Sequence, residues 1–223
     1  MQRWLPYAAL AVIDTVAAQC GARRLRRFTK PPLMPLLAAT VLPGAGASPA
    51  VRAAAGVALA GSTAGDVALL GRGERAFLAG VGGFLVAHAG WLAACAAVPG
   101  SGGTLRRRPA MARPFVATYG AAAALLAPRA GRLRGPVLGY AAVLTAMGAT
   151  ALDTAGRLPA PRARAVTAGA LLFLFSDAVL AANRFGGRPL PGADAAVMAT
   201  YTAGQALLAA GLLGPPQPAP RTR

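Results

Sequence analysis

Asp14, Asp66, Asp153 and Asp177 lie inside long apolar stretches, whereas Glu74 and Asp194, the other two of the chain's 6 acids, lie at the borders of such stretches. A carboxylate at membrane depth costs about 2.5–3.5 kcal/mol, so four of them in a chain this poor in acids point to use. Two neighbouring carboxyls suit general acid/base chemistry: one donates a proton while its ionised partner stabilises a cation or activates water. Such a titration belongs to the pair, so neither acid nor base is assigned individually. Other chemistries find little support. His88 is the 1 histidine of the chain and reads first as a buried hydrogen-bonding side chain. Ser62 precedes Asp66 by one helical turn and Ser176 adjoins Asp177, but a serine nucleophile needs a base beyond a lone histidine. HExxH, GxSxG and Cys/His sets do not occur, so no metal and no cofactor is expected.

The elements that carry these acids are membrane helices. Hydrophobic residues make up 56% of the 223 and charged residues 13%, about half the share in soluble domains. Residues 31–51, 76–105 and 195–220 contain no Asp, Glu, Lys or Arg, and each run matches or exceeds the roughly 20 residues that cross a hydrocarbon core. Charge-bounded windows near 4–22, 28–47, 51–71, 74–98, 111–128, 134–156, 163–184 and 193–214 predict an all-α, polytopic bundle of about eight transmembrane helices over residues 1–214. Linkers such as Pro99-Gly100-Ser101-Gly102-Gly103 are short and carry turn residues, which makes neighbours antiparallel. Residues 215–223 read as a disordered, Pro-rich tail. The first window is followed by RRLRR without a small-residue cleavage site and reads as a retained helix. Gly61-x-x-x-Gly65 and Gly135-x-x-x-Gly139 have the spacing of close helix contacts, although an Ala- and Gly-rich composition produces such spacings by itself.

The net charge of +17 would suggest nucleic acid in a soluble chain. Here the arginines stand between apolar runs, where they meet lipid phosphates; membrane lipids are the expected partners and nucleic acid is not. Lys and Arg divide almost evenly between the two sides, so orientation stays open, as does oligomeric state. Cys20 and Cys95 both fall within apolar segments and support neither a disulfide framework nor a metal site.

Depth sorts the acids. At about 1.5 Å rise per residue, Asp66 lies roughly 8 Å from the C-terminal end of the third window, Asp177 roughly 10 Å from that of the seventh, and Asp14 roughly 12 Å from the same face. Asp153 approaches the opposite face. Lys30, the sole lysine, stands at the start of the second window on the face that Asp66 and Asp177 approach. It reads either as an interfacial cation or as a contact for an anionic lipid headgroup. Tyr140, Asn183 and Tyr201 lie in the same half of the bilayer.

Thr29-Lys30-Pro31 opening the second window, Gly65-Asp66 in the third, Phe84-x-x-x-His88 in the fourth, Ser176-Asp177 in the seventh and Tyr201-x-x-x-Gln205 in the eighth occur in an order that resembles the YhhN-like lysoplasmalogenase family of integral membrane hydrolases. The resemblance covers nearly the whole chain. It implies an eight-helix bundle, in a bacterial cell membrane, that hydrolyses the vinyl ether bond of lysoplasmalogens to a fatty aldehyde and a glycerophospho-alcohol. It also implies Asp66 and Asp177 as the catalytic pair. Lys30, His88, Tyr140, Asn183, Tyr201 and Gln205 are the expected contacts for the lysophospholipid. The chain departs from the family after the histidine motif, where Trp91 stands in place of a frequent tyrosine. Vinyl ether hydrolysis proceeds by protonation of an alkene carbon and attack of water on the resulting oxocarbenium ion, which suits two carboxyls and requires no metal. Two readings compete with it: a non-catalytic lysolipid-binding or transport protein using the same polar site, and acids that serve as interhelical hydrogen-bond glue.

Overall fold

A computed structural model describes residues 2–43 and 46–214. The tail expected over 215–223 lies outside the described residues. Ten α-helices follow one another: α1 (Leu5–Gln19), α2 (Arg23–Thr29), α3 (Leu33–Val41), α4 (Pro49–Ala68), α5 (Gly73–Ala96), α6 (Thr104–Arg107), α7 (Arg113–Leu126), α8 (Arg134–Ala155), α9 (Ala160–Phe185) and α10 (Ala193–Leu213). No strand occurs among the described residues. Proline opens α1, α4, α7 and α9 within their first two positions, where its missing N–H has no intrahelical partner to lose.

Among the described residues, four segments are long and apolar enough to cross a membrane: Gly73–Ala96, Gly131–Ala155, Ala160–Phe185 and Ala193–Leu213. The other expected spans are helical but differ in length or polarity. α4 has 20 residues, α1 has 15, α7 has 14 and α3 only 9. The window at 28–47 is not one helix, because Pro31 and Pro32 separate α2 from α3 and leave a turn between them. The eight windows therefore mark helices, and four of them are spans by length and composition.

Two helical hairpins form the frame, and both are pressed backbone to backbone. A Cβ at Gly61 would stand 2.7 Å from Ala87 N, one at Gly83 2.5 Å from Gly65 N, and one at Gly90 2.6 Å from Ala58 N. Rising numbers on α4 meet falling numbers on α5, so the pair is antiparallel. On α9 and α10, a Cβ at Gly169 would stand 2.6 Å from Leu208 N and one at Gly211 2.9 Å from Val166 N. The Gly61-x-x-x-Gly65 spacing is thus used at a helix contact. Gly135 and Gly139 face nothing within 4 Å, so their spacing is compositional.

α8 packs on α5 and α9, α7 on α8, and α1 on α10, α2 and α3. Trp91, Phe173, Leu33, Leu37, Met147, Met198 and Leu208 are buried in the centre, together with Asp14, Ser62, Asp66, His88 and Gln205. Large apolar residues such as Leu5, Val12, Val86, Leu171 and Phe175 point outward. A polar interior inside an apolar exterior is the distribution expected of a bundle whose solvent is lipid.

Candidate active site

The buried polar residues form two clusters. In the first, α4 and α10 face each other with motifs of equal spacing. Tyr201 Oη donates to Asp66 Oδ2 at 2.8 Å, and one turn later on α10 and one turn earlier on α4 Gln205 Nε2 donates to Ser62 Oγ at 2.7 Å. Trp91 Nε1 on α5 donates to Gln205 Oε1 at 3.1 Å and holds the glutamine in place. Lys30, just after α2, sets its ammonium 3.1 Å from Asp66 Oδ1. That approach lies off the hydrogen-bond direction, so Oδ1 is ion-paired without an aligned donor.

Asp14 anchors this arrangement. Thr29 Oγ1 donates to its Oδ1 at 2.6 Å, and Arg26 Nη2 lies 3.4 Å from its Oδ2. The Thr29-Lys30 pair therefore reaches two carboxylates on two helices, which fixes the end of α2 against the bundle.

The second cluster joins α5, α8 and α9. Tyr140 Oη donates to Asp177 Oδ2 at 2.5 Å, and His88 Nε2 lies 2.9 Å from Tyr140 Oη and 3.6 Å from Asp177 Oδ2. With the single phenolic proton directed at Asp177, the network assigns a proton to Nε2, which donates to the phenolic oxygen. His88 Nδ1 is buried and has no hydrogen-bond partner.

An aromatic layer separates the clusters. The Phe173 ring lies 5.5 Å from Tyr201 and 4.8 Å from His88, and the Phe84 ring lies 5.7 Å from Tyr201 and 6.5 Å from Phe173, all edge to face. On the Asp177 side a cavity of about 530 Å³ opens among α5, α7, α8 and α9. Phe84, Tyr140 and Asp177 line it, and most of its remaining wall is apolar. The Asp177 side chain is 11% exposed, whereas Asp66 is 1% exposed and does not line the cavity. The matched depths expected from the sequence therefore do not translate into two acids at one cavity wall.

The remaining sequence candidates sort accordingly. Lys30, Tyr201 and Gln205 gather around Asp66, and His88 and Tyr140 around Asp177. Asn183 joins neither, since its Oδ1 accepts from Leu190 N and ties the α9–α10 loop. Asp153 accepts from Leu105 N at 2.9 Å and lies 3.9 Å from Arg157, in a separate cluster that fastens the α5–α8 connection. No group of side chains suited to a metal ion occurs among the described residues.

Residues 25–212 match the YhhN family. The chain belongs to this family. No curated protein and no solved structure matches it. The YhhN match includes both clusters and excludes all of α1, so Asp14 lies outside it while the Lys30 it helps to position lies within. Sequence reasoning missed Trp91 as a hydrogen-bond donor, because an indole between apolar residues carries no signal of its partner. It also missed Thr29 as a clamp on Asp14, for which the motif Thr29-Lys30 was the available signal.

Proposed function

We propose that this YhhN-family membrane protein is a lysoplasmalogenase-type hydrolase that cleaves the vinyl ether bond of a single-chain ether lipid without a metal. The observation that carries the reading is Asp177, hydrogen-bonded to Tyr140, on the wall of an otherwise apolar cavity of a size common for small-molecule ligands. A proton delivered there to the alkene carbon remote from oxygen leaves an oxocarbenium ion at the adjacent carbon. Water adds to that carbon and returns a proton to the site. The hemiacetal then breaks its C–O bond to give aldehyde and glycerol hydroxyl, so one water is consumed and no redox partner is needed. Tyr140 and His88 extend from Asp177 as the path by which the proton is replaced. Asp66, compensated by Lys30 one aromatic layer away, is the second carboxyl of the proposed pair.

The proposed architecture is an eight-span bundle in a bacterial cell membrane with both termini on one side, α2 and α3 together filling the place of the second span. The test of function is to incubate the purified protein with a lysoplasmalogen and with its saturated ether analogue. Aldehyde from the first alone is the expected result. The exclusion of Asp66 from the cavity favours one second reading, a lysolipid-binding or transport protein whose Lys30–Asp66 pair is structural. Binding of both lipids with aldehyde from neither would select it.

A further inference from the structure

The cavity that reaches Asp177 does not end in apolar side chains. A second cavity of about 300 Å³ adjoins it, and Leu69, Phe77 and Arg184 line both. The second cavity is strongly basic: Arg23 at the start of α2, Arg72 just before α5 and Arg184 near the end of α9 line it. Three elements distant in sequence thus bring three guanidinium groups to one place. None has a carboxylate within 4 Å among the described residues, including Glu74, two positions from Arg72. Arg184 rests over the Phe77 ring at 5.1 Å, which fixes it at the junction of the two cavities.

We infer that Arg23, Arg72 and Arg184 form a phosphodiester subsite that holds the headgroup phosphate of a single-chain lipid while its chain lies in the apolar cavity. The inference rests on the reading that this cavity takes a lysolipid, but it does not require turnover. Guanidinium groups suit phosphate because their forked donors match its oxygens, and uncompensated like charges gain from an anion. Asp177, Ala181 and Arg184 follow one another at i, i+4 and i+7 and all line the apolar cavity, so one face of α9 runs from the carboxyl to the arginine. Seven residues advance roughly 10 Å along the axis. In a lysophospholipid the chain-linking oxygen and the phosphorus are separated by about five bonds of about 1.5 Å, which tetrahedral angles shorten to roughly 6 Å end to end. The long arginine side chain, turned toward the junction, covers the difference. Lys30 is 8% exposed and occupied by Asp66, so the phosphate falls to the arginines instead.

The test is equilibrium binding to the purified full chain in a phosphate-free, non-ionic detergent, using the saturated alkyl-ether form of lysophosphatidylethanolamine, which cannot be cleaved. Two probes dissect it: an alkylglycerol that lacks the phosphate, and glycerophosphoethanolamine that lacks the chain. R72Q/R184Q is expected to weaken the ether lysolipid about tenfold or more, as expected for lost charge-assisted contacts, and to leave the alkylglycerol unchanged. R72K/R184K is expected to fall between. Equal affinity of R72Q/R184Q and wild type for the lysolipid overturns the subsite, as does an equal loss for both chain-bearing probes, which would assign the arginines to the fold. Glycerophosphoethanolamine binding as tightly as the lysolipid also overturns it, in favour of a soluble phosphodiester. Arginine-dependent binding without aldehyde release from a lysoplasmalogen removes the hydrolase and leaves this site; aldehyde release with arginine-independent binding does the reverse.

Discussion

The Lys30 ammonium lies 3.1 Å from Asp66 Oδ1, and both side chains are almost fully enclosed. The single lysine of the chain is therefore spent on a carboxylate inside the bundle. Removing one partner of a buried ion pair leaves an uncompensated charge and costs about 3–5 kcal/mol. Lys30→Ala is expected to destabilise the protein by about that amount, measured as loss of thermal stability in detergent, and Lys30→Met with Asp66→Leu is expected to recover most of it. A Lys30→Ala protein of normal stability and weakened lysolipid affinity would return the lysine to a headgroup role.

Asp177→Asn is expected to fold normally and to lose turnover by about two orders of magnitude or more, because the amide neither delivers nor accepts the proton. Tyr140→Phe, which removes the hydrogen bond to Asp177, is expected to lower turnover less. Asp66→Asn is expected to lower it too, and the double Asn variant to be scarcely worse than either single one if the carboxyls act as a unit. Additive losses would make Asp66 a positioning residue. Asp153→Asn, in its separate cluster, is expected to leave turnover nearly unchanged.

Gly83 is expected to tolerate no side chain. A Cβ there would lie 2.5 Å from Gly65 N and 2.7 Å from its Cα, so Gly83→Ala must separate α4 from α5. Overpacking of this kind costs about 1–3 kcal/mol. Gly139→Ala, with nothing within 4 Å, is the control and is expected to be neutral by the same thermal measurement.

Both termini are expected on one side of the membrane. Reporter fusions at the N-terminus and after Gly214 should agree, and disagreement would remove the eight-span arrangement.

The identity of the helices was legible in the sequence because charge-free runs and short turn-rich linkers are one-dimensional signals. The positions of Asp66 and Asp177 along their helices were legible for the same reason, since rise per residue is fixed. Their rotation about the helix axes was not. Height alone left both acids at one face, and Phe84 and Phe173, ordinary core residues by sequence, turned out to stand between their clusters. The apolar window at 28–47 concealed a break because hydropathy does not register the backbone consequences of Pro31 and Pro32. The pairing of Ser62 and Asp66 with Gln205 and Tyr201 was half visible: each pair has helical spacing, but only the meeting of α4 and α10 aligns them.

The walls of the cavity are not equally firm. The walls α5 and α9 are locked to α4 and α10 behind them through glycine contacts that leave no slack, whereas α7 has no buried residue, leans mainly on α8, and contributes Thr118, Ala121 and Leu125 to the cavity lining. Segments with few buried apolar contacts open at the least free-energy cost. Among the walls of the cavity, α7 is therefore the panel whose displacement costs least. A lipid chain drawn sideways from the bilayer would meet less resistance there than at the glycine-locked helices.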